Sequence, residues 1–146
     1  MILFGLFYIS CSSNDDALIG KWKNVLKLSQ ATSTQICTYS INKTETCDIN
    51  FSLNYNGDIV VIEYIITQEW YLDKDVLVEK FIDSRIRSIT YDGENLYPKD
   101  ELYNTLSSIV LGRIPNGMTL SRKVKIEENT FELFEKESSS IWTRMK

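Results

Sequence analysis

The chain of 146 residues contains no histidine. Histidine is the commonest metal ligand and the usual general base near neutral pH, so its absence removes the simplest basis for a metal site or for acid–base catalysis. No glycine-rich phosphate loop occurs, and no serine stands beside a plausible base. The formal net charge of −4 comes without an evident basic patch, which argues against nucleic-acid binding. We therefore predict a protein that is not an enzyme, with no catalytic residue, no cofactor, no metal site and no nucleic-acid partner.

A single long apolar run stands at the start of the chain, where residues 1–10 read MILFGLFYIS. The run is too short to span a bilayer, but it has the length of the apolar region of a signal peptide. The letters YISC at residues 8–11 resemble a bacterial lipobox, in which Cys11 is lipidated. Residues 12–16 resemble the acidic surface-export signal of Bacteroidetes lipoproteins. The alternative is a buried N-terminal strand with a core cysteine.

These features predict three parts of the chain. Residues 1–10 form a signal-like segment whose positive region would lie upstream, and residues 11–17 hold the lipidated cysteine and a polar tether. Residues 18–146 form one domain with room for a sizeable core. We therefore expect a protein of the bacterial cell envelope, held at the outer membrane by a lipid anchor and exposed on the surface if the export signal acts.

Strict alternation of residue types follows the tether. From Leu18 to Leu28 every second residue, including Gly20, Trp22 and Asn24, falls on one face, and lysines occupy most of the other. This pattern predicts a half-buried strand. Taken alone, these residues favour an ordinary first strand with one core tryptophan, because a single Gly-x-Trp is a weak motif.

The end of the chain carries a second short strand pattern, over residues 141–146, which includes Arg144. Gly20, Trp22 and Arg144 together resemble the lipocalin family and its bacterial lipocalin-like relatives. In those proteins a Gly-x-Trp on the first strand is covered by an arginine from the end of the chain. The Thr-Asp-Tyr signature of classical lipocalins is absent, so the resemblance is to the barrel. It implies an all-β fold: an eight-stranded antiparallel up-and-down barrel.

Turn signals divide the domain into the eight strands that such a barrel needs. The strongest is Asn56-Gly57, typical of a two-residue hairpin. Asp73-Lys74 predicts another turn, residues 84–91 form a separate strand, and Glu128-Asn129 turns the chain near its end. The pairs predicted from these turns are Leu53–Val60, Phe51–Ile62, Ile49–Tyr64, Cys47–Ile66, Trp70–Leu77, Ile66–Phe81, Ile126–Phe131 and Val124–Leu133.

Two segments are predicted to lie outside the strands. Residues 29–46 are polar and rich in serine and threonine, so we expect a long loop there, which in lipocalins overhangs the barrel mouth. Residues 98–111 begin with a proline and carry apolar residues at helical spacing, which predicts a short helix packed on the barrel.

Two cysteines remain within the domain, Cys37 and Cys47. An even pair in an exported protein predicts a disulfide, and the alternative is two unrelated thiols. Their spacing matches no metal-binding signature.

One polar pair is predicted inside the barrel. The turn at Glu128-Asn129 places Arg122 opposite Glu135 on the inner face. The pair either forms an anion or polar ligand site or satisfies itself as an ion pair near a rim. Residues that could line a ligand cavity are Asn24, Phe51, Tyr64, Trp70, Arg122, Glu135 and Trp142.

Two functions remain open at this stage. The first is a membrane-tethered module that binds a small apolar or amphipathic ligand. The second is an interaction protein, such as an envelope inhibitor or assembly factor, with a filled barrel. An internal cavity of a few hundred cubic ångströms would favour the first.

Overall fold

The structure, a computed structural model, describes residues 15–112 and 115–146. The predicted signal-like segment and Cys11 lie outside the described residues. Within them no helix is both long and apolar enough to cross a membrane. The elements are α1 (Asp15–Leu18), β1 (Gly20–Lys27), β2 (Ala31–Tyr39), β3 (Thr44–Tyr55), β4 (Asp58–Asp73), β5 (Val76–Tyr91), β6 (Glu94–Asn95), α2 (Glu101–Leu111), β7 (Thr119–Ile126), β8 (Thr130–Phe134) and β9 (Ser139–Arg144).

Eight of the strands close into a barrel. Their spatial order is β1–β2–β3–β4–β5–β7–β8–β9, and β9 pairs again with β1. Every pairing is antiparallel. Apart from the closing pair β9–β1, neighbouring barrel strands follow each other in the sequence, with β6 and α2 inserted between β5 and β7. The predicted all-β, eight-stranded up-and-down barrel with one short helix is therefore confirmed.

The hairpin at Asn56-Gly57 has the predicted register. Tyr55 pairs with Asp58, and the four predicted pairs below it all form. Asn56 and Gly57 both have positive φ values, 55° and 97°, as the favoured two-residue hairpin turn requires. The predicted pairs Ile126–Phe131 and Val124–Leu133 also form, between β7 and β8.

The predicted loop over residues 29–46 is wrong, because residues 31–39 form β2. Its threonines are β-branched and suit a strand, although they make the segment look polar. Ser33, Cys37 and Tyr39 alternate on its buried side. The turn that connects β2 to β3 is short, and the first two predicted strands are not neighbours.

The predicted division of residues 76–91 into two strands is also wrong. They form one strand of 16 residues, and its pairing with β4 shifts at two points. At these bulges Ile82 and Arg87 have no direct partner on β4, so the strand bends without breaking.

The turn between β4 and β5 lies one residue later than predicted. Asp73 pairs with Val76, and Lys74 has a φ of 56°. Trp70 therefore lies opposite Glu79 instead of Leu77, and Ile66 lies opposite Ser84 instead of Phe81. Near the turn the pairing has slipped by two residues, which leaves each side chain on the same face of the sheet, so hydrophobic alternation could not detect the error there. Beyond the bulge at Ile82 the difference is three residues.

Helix α2 begins at Glu101, three residues after the predicted start at Pro98, and Asp100 occupies the N-cap position. Tyr103, Leu106 and Val110 pack against a small core on β4 and β5 formed by Val60, Ile62 and Ile89. The helix therefore covers the start of β4 and the last residues of β5, at the opposite end of this hairpin from its turn.

Strand register sorts the interior into levels, because residues directly opposite each other point to the same side of a sheet. One level contains Trp22, Cys37, Cys47 and Ile66, all buried, which identifies this side as the interior. We call the end of the barrel near α1 the lower end, and the end near the Asn56-Gly57 turn the upper end.

Candidate functional site

The first and last strands meet in a short seam at the lower end. Two residue pairs form between them, Trp22 with Arg144 and Lys23 with Thr143. The guanidinium of Arg144 lies 4.1 Å from the centroid of the Trp22 ring. Its Nη1 atom donates to the Ile19 carbonyl at 2.9 Å, and its Nε atom donates to the Glu128 carbonyl at 3.0 Å. The side chain of Arg144 thus joins the last strand of the barrel to the first.

Gly20 is required by this arrangement. It has a φ of 133°, which L side chains rarely adopt, and a Cβ atom there would lie 2.8 Å from Nη1 of Arg144. Trp22, two residues further along β1, is fully buried, and its indole N–H donates to the Leu18 carbonyl at 2.7 Å. The three residues singled out in the sequence therefore come together at one place.

Asn24, predicted as a ligand-lining residue, extends the same seam. Its Nδ2 atom donates to the Ile141 carbonyl at 2.7 Å, one step above the last strand pair. The side chain is half-buried and still faces the interior by register.

Aromatic rings fill the lower interior. Phe131 packs edge-on against Trp22 at 4.8 Å and stacks on Trp142 at 5.4 Å between ring centroids. Tyr39 packs edge-on against Trp70 at 5.5 Å. Trp70 and Trp142, both predicted as ligand-lining, are therefore buried members of this packed core.

A polar cluster is buried beside these rings. The carboxylate of Glu79 forms an ion pair with Arg122 and accepts a hydrogen bond from the Tyr39 hydroxyl at 2.9 Å. Glu45 accepts a hydrogen bond from the Gln68 amide at 3.0 Å. Glu45 and Glu79 are only 2% and 1% exposed, so both carboxyls are out of contact with bulk water.

Burial, together with the negative charge of Glu79, raises the pKa of the Glu45 carboxyl well above its usual range. Burial also raises the pKa of the Tyr39 hydroxyl, with Glu45 and Glu79 adding to the effect. A protonated Glu45 can donate its proton to an acceptor. Its Oε1 atom lies 2.9 Å from Sγ of Cys47, which carries no proton in a disulfide and can only accept.

Arg122 connects this cluster to the predicted partner. Its Nη1 atom lies 3.6 Å from Glu135, whose side chain is mostly exposed just beyond β8. The main partner of Arg122 is Glu79, which the sequence reasoning missed. The Nε atom of Arg122 is buried without a hydrogen-bond partner among the described residues.

Above the polar cluster the interior is only partly filled, because α2 covers Val60 and Ile62 on one side and apolar residues of the other strands stay unburied. Leu26, Phe51 and Leu53 face inward by register, yet none of them is buried, and Leu26 is 48% exposed. Leu120 lies on the inner face of β7, two residues before Arg122, and is 39% exposed. We call the region formed by Leu26, Phe51, Leu53, Tyr64 and Leu120 the upper cup. Phe51 and Tyr64 are the predicted ligand-lining residues that lie there.

The predicted disulfide between Cys37 and Cys47 is confirmed. The two residues are directly paired across β2 and β3, with Cα atoms 4.0 Å apart. The donor atoms of Cys37, Cys47 and Glu45 lie within 4.8 Å of one another, a spacing that suits a metal ion only when the thiols are free. In the disulfide neither sulfur is a thiolate.

No protein-family model matches the chain. No curated protein matches it either. Among solved structures, one that is similar is a lipocalin-like protein from Bacteroides uniformis, with 14% sequence identity and a TM-score of 0.37 over 88% of this chain and 99% of that one. The geometry is that of a lipocalin-like barrel. This description of the barrel rests on the closed order of its eight strands and on the seam formed by Gly20, Trp22 and Arg144.

Glu45 and Glu79 could have been found from the sequence. Glu45 stands two residues before the inward-facing Cys47, and Glu79 stands two residues after Leu77, so strand alternation places both inside. Their acidic side chains argued against an inward position, because carboxylates are rarely buried without a partner. The partner, Arg122, was expected to pair with Glu135.

Proposed function

We propose that this protein binds a small apolar or amphipathic molecule in the upper cup. The observation that carries the proposal is the contrast between the two halves of the interior. The lower half is filled by buried aromatic residues, whereas the side chains of the upper cup face inward and remain exposed or half-buried. Inward-facing apolar surface that its own side chains do not fill is typical of a ligand site.

The floor of the cup favours a ligand with a polar end. Arg122 lies two residues below Leu120 on β7 and pairs with the buried Glu79, and it keeps one N–H group without a partner among the described residues. On the other side of the guanidinium, Nη1 lies 3.6 Å from Oε1 of Glu135, a longer ion pair. We infer that a polar group of the ligand would contact the part of this guanidinium that remains exposed, since the Arg122 side chain is 24% exposed, and would leave the Glu79 pair intact.

The second candidate is a protein-interaction module. The filled lower core favours it, since half of the barrel offers no space to a ligand. In that case the upper cup would be a recess in a binding surface and would hold no molecule of its own.

Filling the cup tests the first function. Leu26→Trp enlarges an inward-facing side chain, and Val25→Trp makes the same kind of change on the outward face of the same strand. With 1-anilinonaphthalene-8-sulfonate as the probe, we expect Leu26→Trp to weaken binding by about tenfold or more, which corresponds to about 1.4 kcal/mol. Equal binding by the two variants would contradict a site in the cup, and native mass spectrometry of protein from its source would show whether a ligand is carried.

We further propose that the barrel is tethered to the bacterial envelope through Cys11. Support comes from the apolar run, the lipobox-like letters before Cys11 and the polar residues after it. The described structure begins at Asp15, close to β1, so a short tether would hold the barrel near the membrane.

A further inference from the structure

The outward face of β1 carries an unusual set of side chains for an acidic protein. Lys21, Lys23 and Lys27 alternate along it with Val25, and all four are exposed. None of the three lysines forms an ion pair with any residue in ranges 15–112 and 115–146. We call these four residues the β1 ladder.

The strands on either side of β1 carry no acidic side chain that would pair with the lysines of the ladder. On β2 its direct partners are threonines and Ile36. On β9 the outward residues are Ser139, Ile141 and Thr143. Both strands lie wholly within the described residues, and neither presents a carboxylate on this face, so the three positive charges face solvent together.

An apolar row crosses the ladder at its middle. Continuing the Lys23–Thr143 pair by two residues brings Ile141 beside Val25, where the Asn24 amide already reaches the Ile141 carbonyl. Ile141 is 60% exposed. Phe134, which is also exposed, belongs to the next strand and lies diagonally across from Ile141. The lysines therefore flank the exposed apolar pair Val25 and Ile141, and Glu132, directly opposite Ile141 on β8, separates this pair from part of the next strand.

We propose that this face of the barrel docks on an anionic phospholipid surface. Lysine side chains next to exposed apolar groups suit the interface of such a membrane, where the ammonium groups contact lipid phosphates and the apolar groups enter the boundary of the acyl region. The six-residue spacing from Lys21 to Lys27 is about 20 Å along an extended strand, enough to contact several headgroups at once.

The position of the chain beyond the described residues supports this occupant. Cys11 lies four residues before Asp15, and four extended residues reach at most about 14 Å. A lipid anchor at Cys11 would therefore keep the nearby β1 ladder within reach of the bilayer. The choice of a membrane as the partner rests on the proposed envelope location. The contact between the β1 ladder and lipid requires neither a ligand in the cup nor an anchor at Cys11.

Vesicle sedimentation tests the proposal with the full, unlipidated chain. Vesicles of phosphatidylcholine alone are compared with vesicles that also contain phosphatidylglycerol. The test variant is K21E/K23E/K27E, and the matched control is K80E/K99E/K136E, which changes the same charge at exposed lysines elsewhere. Val25→Ser with Ile141→Ser examines the apolar row. Because residues 1–14 are the same in every protein, their own affinity for lipid cancels in the comparison.

We expect the wild type to prefer the anionic vesicles and to lose this preference as salt is added. The ladder variant should bind them at least about tenfold more weakly, since each lysine near an anionic surface contributes roughly fivefold. The control variant should stay close to the wild type. Equal binding to both vesicle types, an equal loss in both triple variants, or binding to an acidic protein without binding to vesicles would overturn the proposal. Failure of ligand binding in the cup would leave this result unchanged, so the two proposals can fail separately.

Discussion

The guanidinium of Arg144 lies over the ring of Trp22 at 4.1 Å and reaches back to the carbonyl of Ile19 across 125 positions of sequence. This single side chain covers the tryptophan and joins the last strand to the first. Since only two residue pairs form between β1 and β9, the side-chain contacts carry much of the closure. The seam is therefore the place where one substitution should affect the whole barrel.

Arg144→Ala is expected to destabilise the fold by about 2–4 kcal/mol, because it removes a cation–π contact and charge-assisted hydrogen bonds to backbone carbonyls. Urea unfolding followed by tryptophan fluorescence measures the change. Arg87→Ala is the matched control, since Arg87 makes an exposed ion pair with Asp48 that should contribute less than about 1 kcal/mol. Equal losses in the two variants would mean that the seam has no special role.

The disulfide offers a second measurement. Cys37 and Cys47 are ten positions apart, and a bond that closes so short a loop should contribute about 2–3 kcal/mol on the loop-entropy model. We expect reduction, or the Cys37→Ser and Cys47→Ser double variant, to lower the melting temperature without loss of the barrel. Neither Cys37 nor Cys47 should be alkylated in denatured, unreduced protein freshly isolated from its source. Free thiols in that sample would contradict the bond.

Arg122 tests whether the interior ion pair is structural. Arg122→Met should destabilise the protein by about 3–5 kcal/mol, because it leaves the almost fully buried Glu79 without its cation. Glu135→Gln should change the stability by less than about 0.5 kcal/mol, since the Glu135 side chain is 58% exposed. Chemical denaturation of both variants makes the comparison. A larger effect at Glu135 would show that it is the main partner, as the sequence first suggested.

Lipidation of Cys11 is testable in a bacterium that expresses the gene with its upstream sequence. The wild-type protein should incorporate a labelled fatty acid and fractionate with membranes, and Cys11→Ser should do neither. Ser12→Ala, next to the cysteine, serves as the control and should leave processing intact. Unchanged labelling in Cys11→Ser would remove the anchor from the proposed function.

The sequence predicted the parts of the fold in which local and long-range signals agree. Asn56-Gly57 specified both the turn and the register of its hairpin, because any one-residue slip would expose Phe51 and Ile62. Arg144 could be linked to Trp22 because the family resemblance supplied a contact between residues far apart in the chain.

Other features could not be read locally. The threonines of β2 look like loop residues until the neighbouring strands supply their hydrogen bonds, and the bulges of β5 depend on the curvature of the closed barrel. The partner of Arg122 was missed for a similar reason. Pairing across the β7–β8 turn is local, whereas Glu79 approaches through a strand pair with a sequence separation of 43. The pairing of Arg122 with Glu79 therefore follows from the contact between β5 and β7, which no short pattern encodes.

The buried carboxyl of Glu45 should make the protein more stable in mild acid than in mild alkali. Burial and the charge of Glu79 raise its pKa in the folded state, so between the unfolded and folded pKa values the folded protein holds a proton that the unfolded chain releases. The contribution of Glu45 to the free energy of unfolding is therefore fully present below the pKa of the unfolded chain, which is about 4.3. Above that pKa the contribution falls by up to about 1.4 kcal/mol per pH unit. Glu45→Gln keeps the shape without the ionisation, so it should flatten this dependence and raise the stability at alkaline pH. Denaturant unfolding at a series of pH values measures both effects. Glu69→Gln, on the exposed outer face of β4, is the control and should keep the wild-type slope. If the wild type and Glu45→Gln have the same slope, Glu45 does not hold a proton in the folded barrel.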